Sequence, residues 1–412
     1  MSAGTMDVAV TGLGVVAPNG IGVDAHWEAL LAGVSGIGPI SRFDAGDYPV
    51  RLAGEVAGFA GPGRLPSRLV AQTDRWTHLG LYAAEAALAD AGMSAEGLAE
   101  LDEFGLAVVT ASSSGGNEFG QREIADLWRH GPQRVSAFQS IAWFYAATTG
   151  QISIRHGMRG PCGVLVAEQA GGLDALAQAA RALRMGAKMA VTGGAEASLS
   201  PYALVCQISS GRLSRRDDPA TAYLPFDADA CGHVPGEGGA MLIVEPEQEA
   251  RKRGAPRIYG RVAGHAATFD PPPGSGGRPT LRRAAELALT RARVAPEEVD
   301  VVFADAAGVP ALDRAEAEAI SALFGPRGVP VTAPKTMLGR LYCGGGPLDL
   351  AAALLSIRDG VIPPTIGLRR PAPGCADLDL VTETRQVPVR RALVLARGFG
   401  GFNSAVVVTA AG

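Results

Sequence analysis

The sequence predicts an α/β protein built of two similar halves, and three observations support this class. Short apolar runs alternate with segments whose apolar residues recur at spacings of three and four, which indicates strands alternating with amphipathic helices. The chain has 412 residues, a length that favours two domains or one large domain in two parts. Its 55 glycines and 28 prolines are dispersed, so they indicate many tight turns rather than low complexity.

The predicted elements fall on both sides of a polar stretch at 246–257. The strands expected from apolar runs are Val8–Val10, Leu106–Val109, Val164–Val166, Met189–Thr192, Ala240–Val244, Ile258–Val262, Val299–Phe303, Leu393–Ala396 and Ala405–Val408. The helices expected from periodicity are 24–32, 73–92, 120–129, 139–156, 171–186, 281–292, 313–323 and 347–359. The Pro/Gly-rich segment 270–279 is expected to be a surface loop. We therefore predict two halves, 1–254 and 255–412, without a clear sequence repeat between them.

Composition and charge exclude several classes of function. The chain is 47% hydrophobic with a formal net charge of −4 and no polybasic block, which argues against nucleic acid or an anionic membrane as the main partner. No apolar run approaches the length of a membrane span. A strand at Val8–Val10 leaves no room for a signal peptide, so we expect a cytoplasmic protein. The five cysteines form no CxxC pair, so we expect reduced thiols, and no metal site at Cys231–His233.

The most informative local feature is a glutamine at a strand-to-helix turn. Residues 162–167 form an apolar run that predicts a buried strand, and apolar spacing from Leu173 to Leu183 predicts the helix that follows. A side chain at this turn lies at a helix N-terminus, where free N–H groups and the helix dipole would stabilise a thiolate. Gln169 stands at that position. Glutamine forms no acyl-enzyme, so the elbow is present without its nucleophile.

Several stretches of the chain resemble the β-ketoacyl synthases of the thiolase-like superfamily. They are VAVTGLGVVAPNGIG (8–22), PFDADACGHVPGEGGAMLIVE (225–245) and GFGGFNSAVVV (398–408). This resemblance implies a thiolase-like fold, in which two strand–helix halves form a layered α-β-α-β-α core. The resemblance spans the chain from about residue 7 to its last residue.

Four further stretches look more narrowly like the chain length factor, the ketosynthase β subunit of aromatic type II polyketide synthases. They are AEQAGGLDAL (167–176), WFYAATTGQISIRHGMRGP (143–161), FADAAGVPALDRAEAEAI (303–320) and PKTMLGRLYCGGGPLDL (334–350). In that family the α subunit condenses and the β subunit is its inactive paralogue. The resemblance therefore implies a non-condensing subunit that supports the poly-β-ketone made from malonyl-acyl carrier protein and sets its length. Membership of an acyltransferase family leaves open whether this chain is itself an enzyme.

The resemblance implies that both catalytic histidines of the family are replaced. The chain has six histidines and none beyond His265, whereas a decarboxylating condensation needs imidazoles beside the thiolate. A family motif Ala-His-Gly, followed by an Asp and a Glu, matches 303–316 with Asp305 at the histidine position and Asp313 and Glu316 at the later acids. The chain thus lacks an imidazole at the first of the two positions.

The second histidine motif, Lys-Ser-x-x-Gly-His, matches Lys335 to Arg340 and ends in arginine. Asp305 and Arg340 are expected to pair with each other rather than to catalyse. The retained Lys335 and Glu316 are expected to hold the site together, the alternative being ordinary surface charges. An active condensing enzyme, or a thiolase acting on acyl-coenzyme A, would need the nucleophile that this chain lacks.

Two interpretations of Gln169 stay open. Its amide would be a polar plug hydrogen-bonded to backbone groups of the elbow. Alternatively its carbonyl would imitate the thioester of an acylated cysteine, which in the family is associated with decarboxylating malonyl-acyl carrier protein to supply an acetyl starter. Because the imidazoles are missing, we expect any decarboxylation to belong to the α subunit.

The resemblance also implies a tunnel at the subunit interface that shields the growing chain from water. The matched lining positions are Asn117, Gly120, Ile124, Ile141, Tyr202 and Phe399. Bulky aromatics at such positions accompany short products in the family, so the small side chains here predict a product longer than an octaketide. Replacing Gly120 by phenylalanine would then shorten it. The alternative is that Gly120 serves only helix packing.

The implied partners are the ketosynthase α subunit and an acyl carrier protein. The expected interface surrounds Trp143, Phe144 and Tyr145, although a core position would explain these aromatics equally well. No cofactor is expected to be bound covalently, because phosphopantetheine arrives on the carrier protein. Such carriers are acidic, so exposed arginines would suit one.

Overall fold

A computed structural model of the chain describes residues 7–61, 63–272 and 274–412. Its strands are β1 (Val8–Ala17), β2 (Gly20–Ile21), β3 (Ile37–Pro39), β4 (Leu52–Gly54), β5 (Leu106–Ala111), β6 (Cys162–Leu165), β7 (Met189–Glu196), β8 (Gly238–Pro246), β9 (Gly260–Phe269), β10 (Val301–Phe303), β11 (Pro330–Thr332), β12 (Val361–Ile362), β13 (Asp379–Leu380), β14 (Arg385–Gln386), β15 (Arg391–Arg397) and β16 (Phe402–Thr409). Its helices are α1 (Val23–Leu31), α2 (Ser67–Gln72), α3 (Arg75–Asp90), α4 (Ala95–Ala99), α5 (Asn117–His130), α6 (Gln139–Ala142), α7 (Ala147–His156), α8 (Gly171–Arg184), α9 (Pro201–Ile208), α10 (Glu247–Lys252), α11 (Leu281–Ala292), α12 (Pro310–Phe324) and α13 (Gly345–Asp359). No helix in these described ranges is long and apolar enough to span a membrane.

The two halves repeat one strand order. The first half reads β6-β5-β7-β8-β1, and the second reads β11-β10-β15-β16-β9 with a short extra strand, β13, on the far side of β11. Without β13, each half is ordered 3-2-4-5-1 in its own numbering. In both halves the first three strands of that order are parallel and the others antiparallel. A short antiparallel pairing of β1 with β9, at Ala9 and Val10, joins them into one sheet path. The boundary predicted at 254/255 lies between α10 and β9 and stays a prediction.

Five layers follow from this order. Helix α3 packs on the outside of β1, β7 and β8, while α11 packs on the outside of β9 and β16 and α12 lies beside α11. Helices α8 and α13 lie between the two half-sheets, because α8 contacts β5, β7 and β16 and α13 contacts β8 and β15. Every residue from Gly345 to Ser356 is buried, as expected for a helix covered on all sides. The predicted layered α-β-α-β-α core is therefore confirmed.

Strand β1 is longer than its predicted apolar core, because glycines let a helix approach it. A Cβ at Gly12 would lie 2.2 Å from the Ala87 carbonyl oxygen, and one at Gly14 would lie 1.9 Å from the Ala83 oxygen. Only glycine fits where a helix backbone approaches a strand this closely. The TGLG pattern thus extends the strand along α3 instead of ending it as a turn.

Two predicted elements differ from the structure in ways that bear on the site. The helix predicted over 139–156 is split into α6 and α7, because the Trp143 carbonyl accepts a hydrogen bond from the N–H of Gly116, 3.3 Å away, outside the helix. The strand predicted as buried over 162–167 is β6, the outermost strand of its half. Cys162 is exposed, and the residues from Gly163 to Leu165 are only partly buried. An apolar run is typical of a strand covered on both faces, so sequence alone could not distinguish this edge strand.

Candidate functional site

The elbow is a single turn of 3-10 helix, Glu168–Ala170, between β6 and α8. Glu168 has a left-handed φ of 48°, which is uncommon outside glycine and strained. Its Oε2 accepts the N–H of Gln169 and the N–H of Phe399, each at 2.9 Å. These two hydrogen bonds hold the strained residue in place and tie the elbow to the loop after β15.

The Gln169 side chain is fully buried and fills the space left by a glycine of the opposite half. A Cβ at Gly345 would lie 2.4 Å from Gln169 Nε2, so the first residue of α13 has to lack a side chain. The N-termini of the two central helices therefore meet at this glutamine. Both ends direct free N–H groups and partial positive charge toward the elbow.

The amide of Gln169 makes no hydrogen bond to any residue in the described part of the chain. The interpretation of a plug hydrogen-bonded to the elbow backbone is therefore wrong for this structure. In the turn, the N–H of Gln169 donates to the Glu168 carboxylate and the N–H of Ala170 donates to the Ala167 carbonyl. The carbonyl likewise receives no oxyanion-hole donor from these residues. An unsatisfied buried amide costs about 1–3 kcal/mol.

The two altered histidine positions form a buried ion pair. Arg340 Nη2 lies 3.1 Å from Asp305 Oδ1 and Nη1 lies 3.3 Å from Oδ2, a bidentate arrangement. Arg340 also donates to the Arg397 carbonyl, and Asp305 Oδ1 accepts the Arg397 N–H at 2.9 Å. The arginine holds the pKa of the fully buried Asp305 below its usual range, against the desolvation that raises it. A carboxylate paired in this way stays ionised and has no proton to give.

The retained Lys335 and Glu316 fix the backbone beneath this pair. Lys335 Nζ lies 2.6 Å from Asp349 Oδ2 and donates to the Ala304 carbonyl. Glu316 accepts the N–H of Asp305 at 2.7 Å and that of Ala306 at 2.8 Å. Both side chains are buried, so neither is an ordinary surface charge. Their contacts are with the scaffold, which suits the predicted holding role.

A further carboxylate of this motif, Asp313, gives the site a dependence on pH. It accepts the N–H of Phe226 at 3.0 Å and of Gly308 at 2.9 Å. Burial, together with the charges of Glu316 and Asp305, raises its pKa from 3.8 to about 7. The folded chain therefore binds this proton more tightly than the unfolded chain does between those two values.

We expect the stability contributed by Asp313 to be complete below pH 3.8 and to be lost as the pH rises through about 7. Asp313→Asn should therefore flatten the decline of the urea midpoint between pH 5 and pH 8, although the variant loses one backbone contact at every pH. The midpoints of both proteins across this range test it. An equally steep decline in the variant would show that other groups, such as Glu316, cause the dependence.

A cavity of about 890 Å³ opens above the Asp305–Arg340 pair. Its lining includes Arg212 and Phe399, whose ring centre lies 4.6 Å from the guanidinium carbon of Arg212. The imidazole in the lining belongs to His233, whose pKa is lowered to about 3 by burial and by Arg340. This cavity therefore offers a neutral imidazole instead of the two that a condensation needs.

The predicted tunnel residues separate into two places. Phe399 lines the cavity, whereas the others lie on α5, α6 and α9 and are not in its lining, although the C-terminal part of α9 (Cys206 and Gln207) does line it. Gly120 is buried, and a Cβ there would lie 3.1 Å from Trp143 Cδ1, so it does serve helix packing. Ile124 and Tyr202 are 55% and 56% exposed.

These exposed residues belong to a set on α5, the two helices packed against it, α6 and α9, and the segment after α6. We call this set the apolar face. Its members are Ile124, Leu127, Trp128, Ile141, Trp143, Phe144, Tyr145, Tyr202 and Val205. The three aromatics at 143–145 are thus at the surface rather than in a core. A surface this rich in aromatics marks a place of contact with another molecule.

The chain belongs to the β-ketoacyl synthase family. The N-terminal domain of that family matches residues 5–250, and its C-terminal domain matches residues 259–369. The chain is 63% identical over 404 residues to the tetracenomycin polyketide synthase ketoacyl synthase beta subunit of Streptomyces glaucescens, covering 97% of this chain and 98% of that protein.

Solved structures agree with this assignment. The ishigamide ketosynthase/chain length factor superposes with a TM-score of 0.90 at 27% identity, over 99% of this chain and all of that one. A type II PKS acyl-carrier protein in complex with its ketosynthase, bound to the hexaketide, includes a chain that superposes with a TM-score of 0.86 at 26% identity, over 98% of this chain and all of that one. The thiolase-like fold expected from the sequence is confirmed, and so is the resemblance to ketosynthase β subunits.

Sequence reasoning missed three residues of the site. Glu168 precedes Gln169, but nothing in the sequence indicates its left-handed backbone, so its role at the elbow could not be predicted. Arg397 and Asp349 join the ion pairs from other segments, and only Asp349 gave a signal, as an acid buried in the apolar stretch of α13.

Proposed function

We propose that this chain is the non-condensing β subunit of a type II polyketide synthase ketosynthase heterodimer. In this proposal the α subunit condenses malonyl units that arrive on the phosphopantetheine of an acyl carrier protein, in the cytoplasm. The β subunit binds no cofactor covalently. It supports the growing poly-β-ketone and determines how long the chain becomes.

The observation that supports this most strongly is the state of the elbow. A decarboxylating condensation needs a thiolate and imidazole donors around one carbon atom. Here Gln169 stands at the nucleophile position, and Asp305 and Arg340 neutralise each other at the imidazole positions. All three functions of a condensing site are replaced together while the fold around them is kept.

The apolar face supports the second part of the proposal. A poly-β-ketone reacts with water and with itself, so it has to grow in a closed space. Ile124, Ile141 and Tyr202 are exposed on a single chain, and a second subunit laid over this face would close them into a tunnel wall. The side chains there would then set the end of the tunnel, and their small size at Asn117 and Gly120 favours a product longer than an octaketide.

Strand β6 supports the assignment of the partner. Within the described residues it pairs with β5 alone, so its other edge presents free backbone N–H and C=O groups. Val166, directly after it, is 52% exposed. A ketosynthase α subunit of the same fold would present an equivalent edge, and the two would continue one sheet across the interface.

Reconstitution with the adjacent α subunit and a carrier protein tests the proposal. We expect polyketides longer than an octaketide by mass spectrometry, and no full-length polyketide when this chain is omitted. Full-length product from the α subunit alone would refute the proposed role. Products no longer than an octaketide would refute the predicted length but leave the role in place.

A second experiment separates support from catalysis. With the α-subunit cysteine inactivated, Gln169→Cys is expected to yield no condensation, because the cavity imidazole of His233 stays neutral and Asp305 stays paired. Measurable condensation by that complex would overturn the non-condensing assignment. The same complex with native Gln169, given malonyl-carrier protein, tests decarboxylation: acetyl-carrier formation abolished by Gln169→Ala would establish the alternative role.

A further inference from the structure

An arginine-lined groove of about 1280 Å³ shares no lining residue with the cavity above the Asp305–Arg340 pair, and the proposed function does not yet use it. One wall is the face of α8 that carries Asp174, Arg181 and Arg184, and the other is formed by β9, the end of α11 and the start of β15. Seven arginines line the groove: Arg181, Arg184, Arg261, Arg291, Arg293, Arg390 and Arg391. The side-chain carboxylates in its lining are those of Asp7 and Asp174. A chain with a net charge of −4 has thus concentrated positive charge in one place.

Two of these arginines are neutralised within the chain. Arg261 Nη2 lies 2.9 Å from Glu247 Oε1, and Arg391 Nη2 lies 3.2 Å from Glu298 Oε1. Asp174 is itself engaged, since its Oδ1 lies 3.2 Å from His265 Nε2. Its charge is therefore already directed to the imidazole rather than to a guanidinium.

The other five arginines are exposed and lack an acidic partner. They are Arg181, Arg184, Arg291, Arg293 and Arg390, and no carboxylate among the described residues comes within 4 Å of them. Arg291 donates to the His265 carbonyl at 2.6 Å, which fixes its position without neutralising it. Guanidinium groups held side by side repel one another unless anions are supplied from outside.

The groove reaches the same edge of the molecule as the free side of β6. Leu165, the last residue of β6, lines it. From there the groove follows Asp174, Gln178 and Arg181 to Arg184, positions at helical spacing on one face of α8. This face is turned toward β9, since Asp174 contacts His265 there, and the groove opens between the two. A partner that pairs with β6 would therefore border the groove at Leu165.

We propose that the groove is a charged part of the heterodimer interface that receives carboxylates of the α subunit and prevents two copies of this chain from pairing. The proposal rests on the proposed function, because it assumes that β6 faces the partner. Two copies paired through β6 would be related by a two-fold axis. An axis beside β6 would then bring the two grooves toward each other, each with five uncompensated arginines. Such like-charge contact disfavours pairing with a second copy of this chain. An acidic edge on the α subunit would instead be attracted to the same groove.

Charge reversal on α8 tests this directly. Arg181→Glu with Arg184→Glu should weaken binding of the α subunit at least about tenfold, measured by native mass spectrometry or sedimentation of the mixed subunits. With Arg390→Glu added, these five positions of the groove carry three glutamates and two arginines, and this triple variant mixed with the unaltered β chain should form a β/β dimer, which neither protein forms alone. Arg181→Gln with Arg184→Gln should weaken α binding to a smaller degree, and it avoids placing acids at the C-terminal end of a helix.

Arg68→Glu with Arg369→Glu is the matched control, since both arginines are exposed, lie outside the groove and form no ion pair in the described ranges. The control should bind the α subunit as the unaltered chain does. If the reversed variant also binds normally, or no mixed β/β dimer forms, the inference is wrong and the proposed function stands. Loss of carrier-protein binding with normal α binding would overturn it too, by assigning the groove to the carrier. If the unaltered chain fails to bind the α subunit, the proposed function itself fails.

Discussion

Replacing Arg340 by methionine is expected to destabilise the folded chain by about 3–5 kcal/mol, because it leaves the fully buried Asp305 carboxylate without a counter-charge. The loss includes the donation from Arg340 to the Arg397 carbonyl, which ties the β15–β16 loop to the site. Thermal unfolding of the purified chain would show it as a lowered Tm.

The double variant Asp305→Leu with Arg340→Met should recover part of that loss, since an uncharged pair needs no compensation. An exposed ion pair provides the control: Arg370 and Asp229 lie 3.6 Å apart with most of the arginine side chain in solvent. Arg370→Met should change stability by no more than about 1 kcal/mol. If Arg340→Met lowers stability by as little as this, the Asp305–Arg340 ion pair does not stabilise the site that lacks the histidines.

Enlarging Ile124 to tryptophan is expected to shorten the polyketide of the reconstituted complex by at least one two-carbon unit. Ile124 lies on the exposed side of α5, so the added ring would project into the space that the partner closes rather than into this chain's core. Gly120→Phe should shorten the product as well, but only after displacing Trp143, which a Cβ at that position already approaches to 3.1 Å. Mass spectrometry of the released products measures both.

Arg129→Trp is the control for added bulk, because Arg129 is exposed near the end of the same helix and, five residues after Ile124, points to another side of it. It should leave product length unchanged. If neither Ile124→Trp nor Gly120→Phe alters the length, the α5 face does not form the tunnel wall, and Gly120 is retained for helix packing alone.

The alternation of apolar runs and amphipathic segments was sufficient to predict the α/β class, because strand and helix periods are local properties. The layered core was predicted only through the resemblance. The replaced positions 169, 305 and 340 also came from sequence, through the resemblance and the absence of histidines beyond His265. The direct contact of Arg340 with Asp305 fits the pairing that was expected of them. Two opposite charges that are buried close together are expected to pair, because neither is then left without a counter-charge.

What could not be predicted depends on contacts between distant segments. The unsatisfied amide of Gln169 follows from the way Glu168 and Gly345 close around it, which no local pattern encodes. The sequence predicts that β6 is buried, because an apolar run looks the same whether the strand is covered by its own chain or by a partner. That Phe399 lines the cavity, while the other predicted tunnel residues do not, likewise depends on how α5, α6 and α9 pack.

The repeated strand order has a consequence for how the chain holds together. Each central helix covers the inner side of the other half's sheet as well as its own: α13 contacts β8, and α8 contacts β16. Either half alone would therefore expose an apolar sheet face and lack the helix that covers it. The linker near residue 254 separates two copies of one topology, but not two independent folding units. We expect neither half to remain folded alone, so the whole chain should unfold in one cooperative transition.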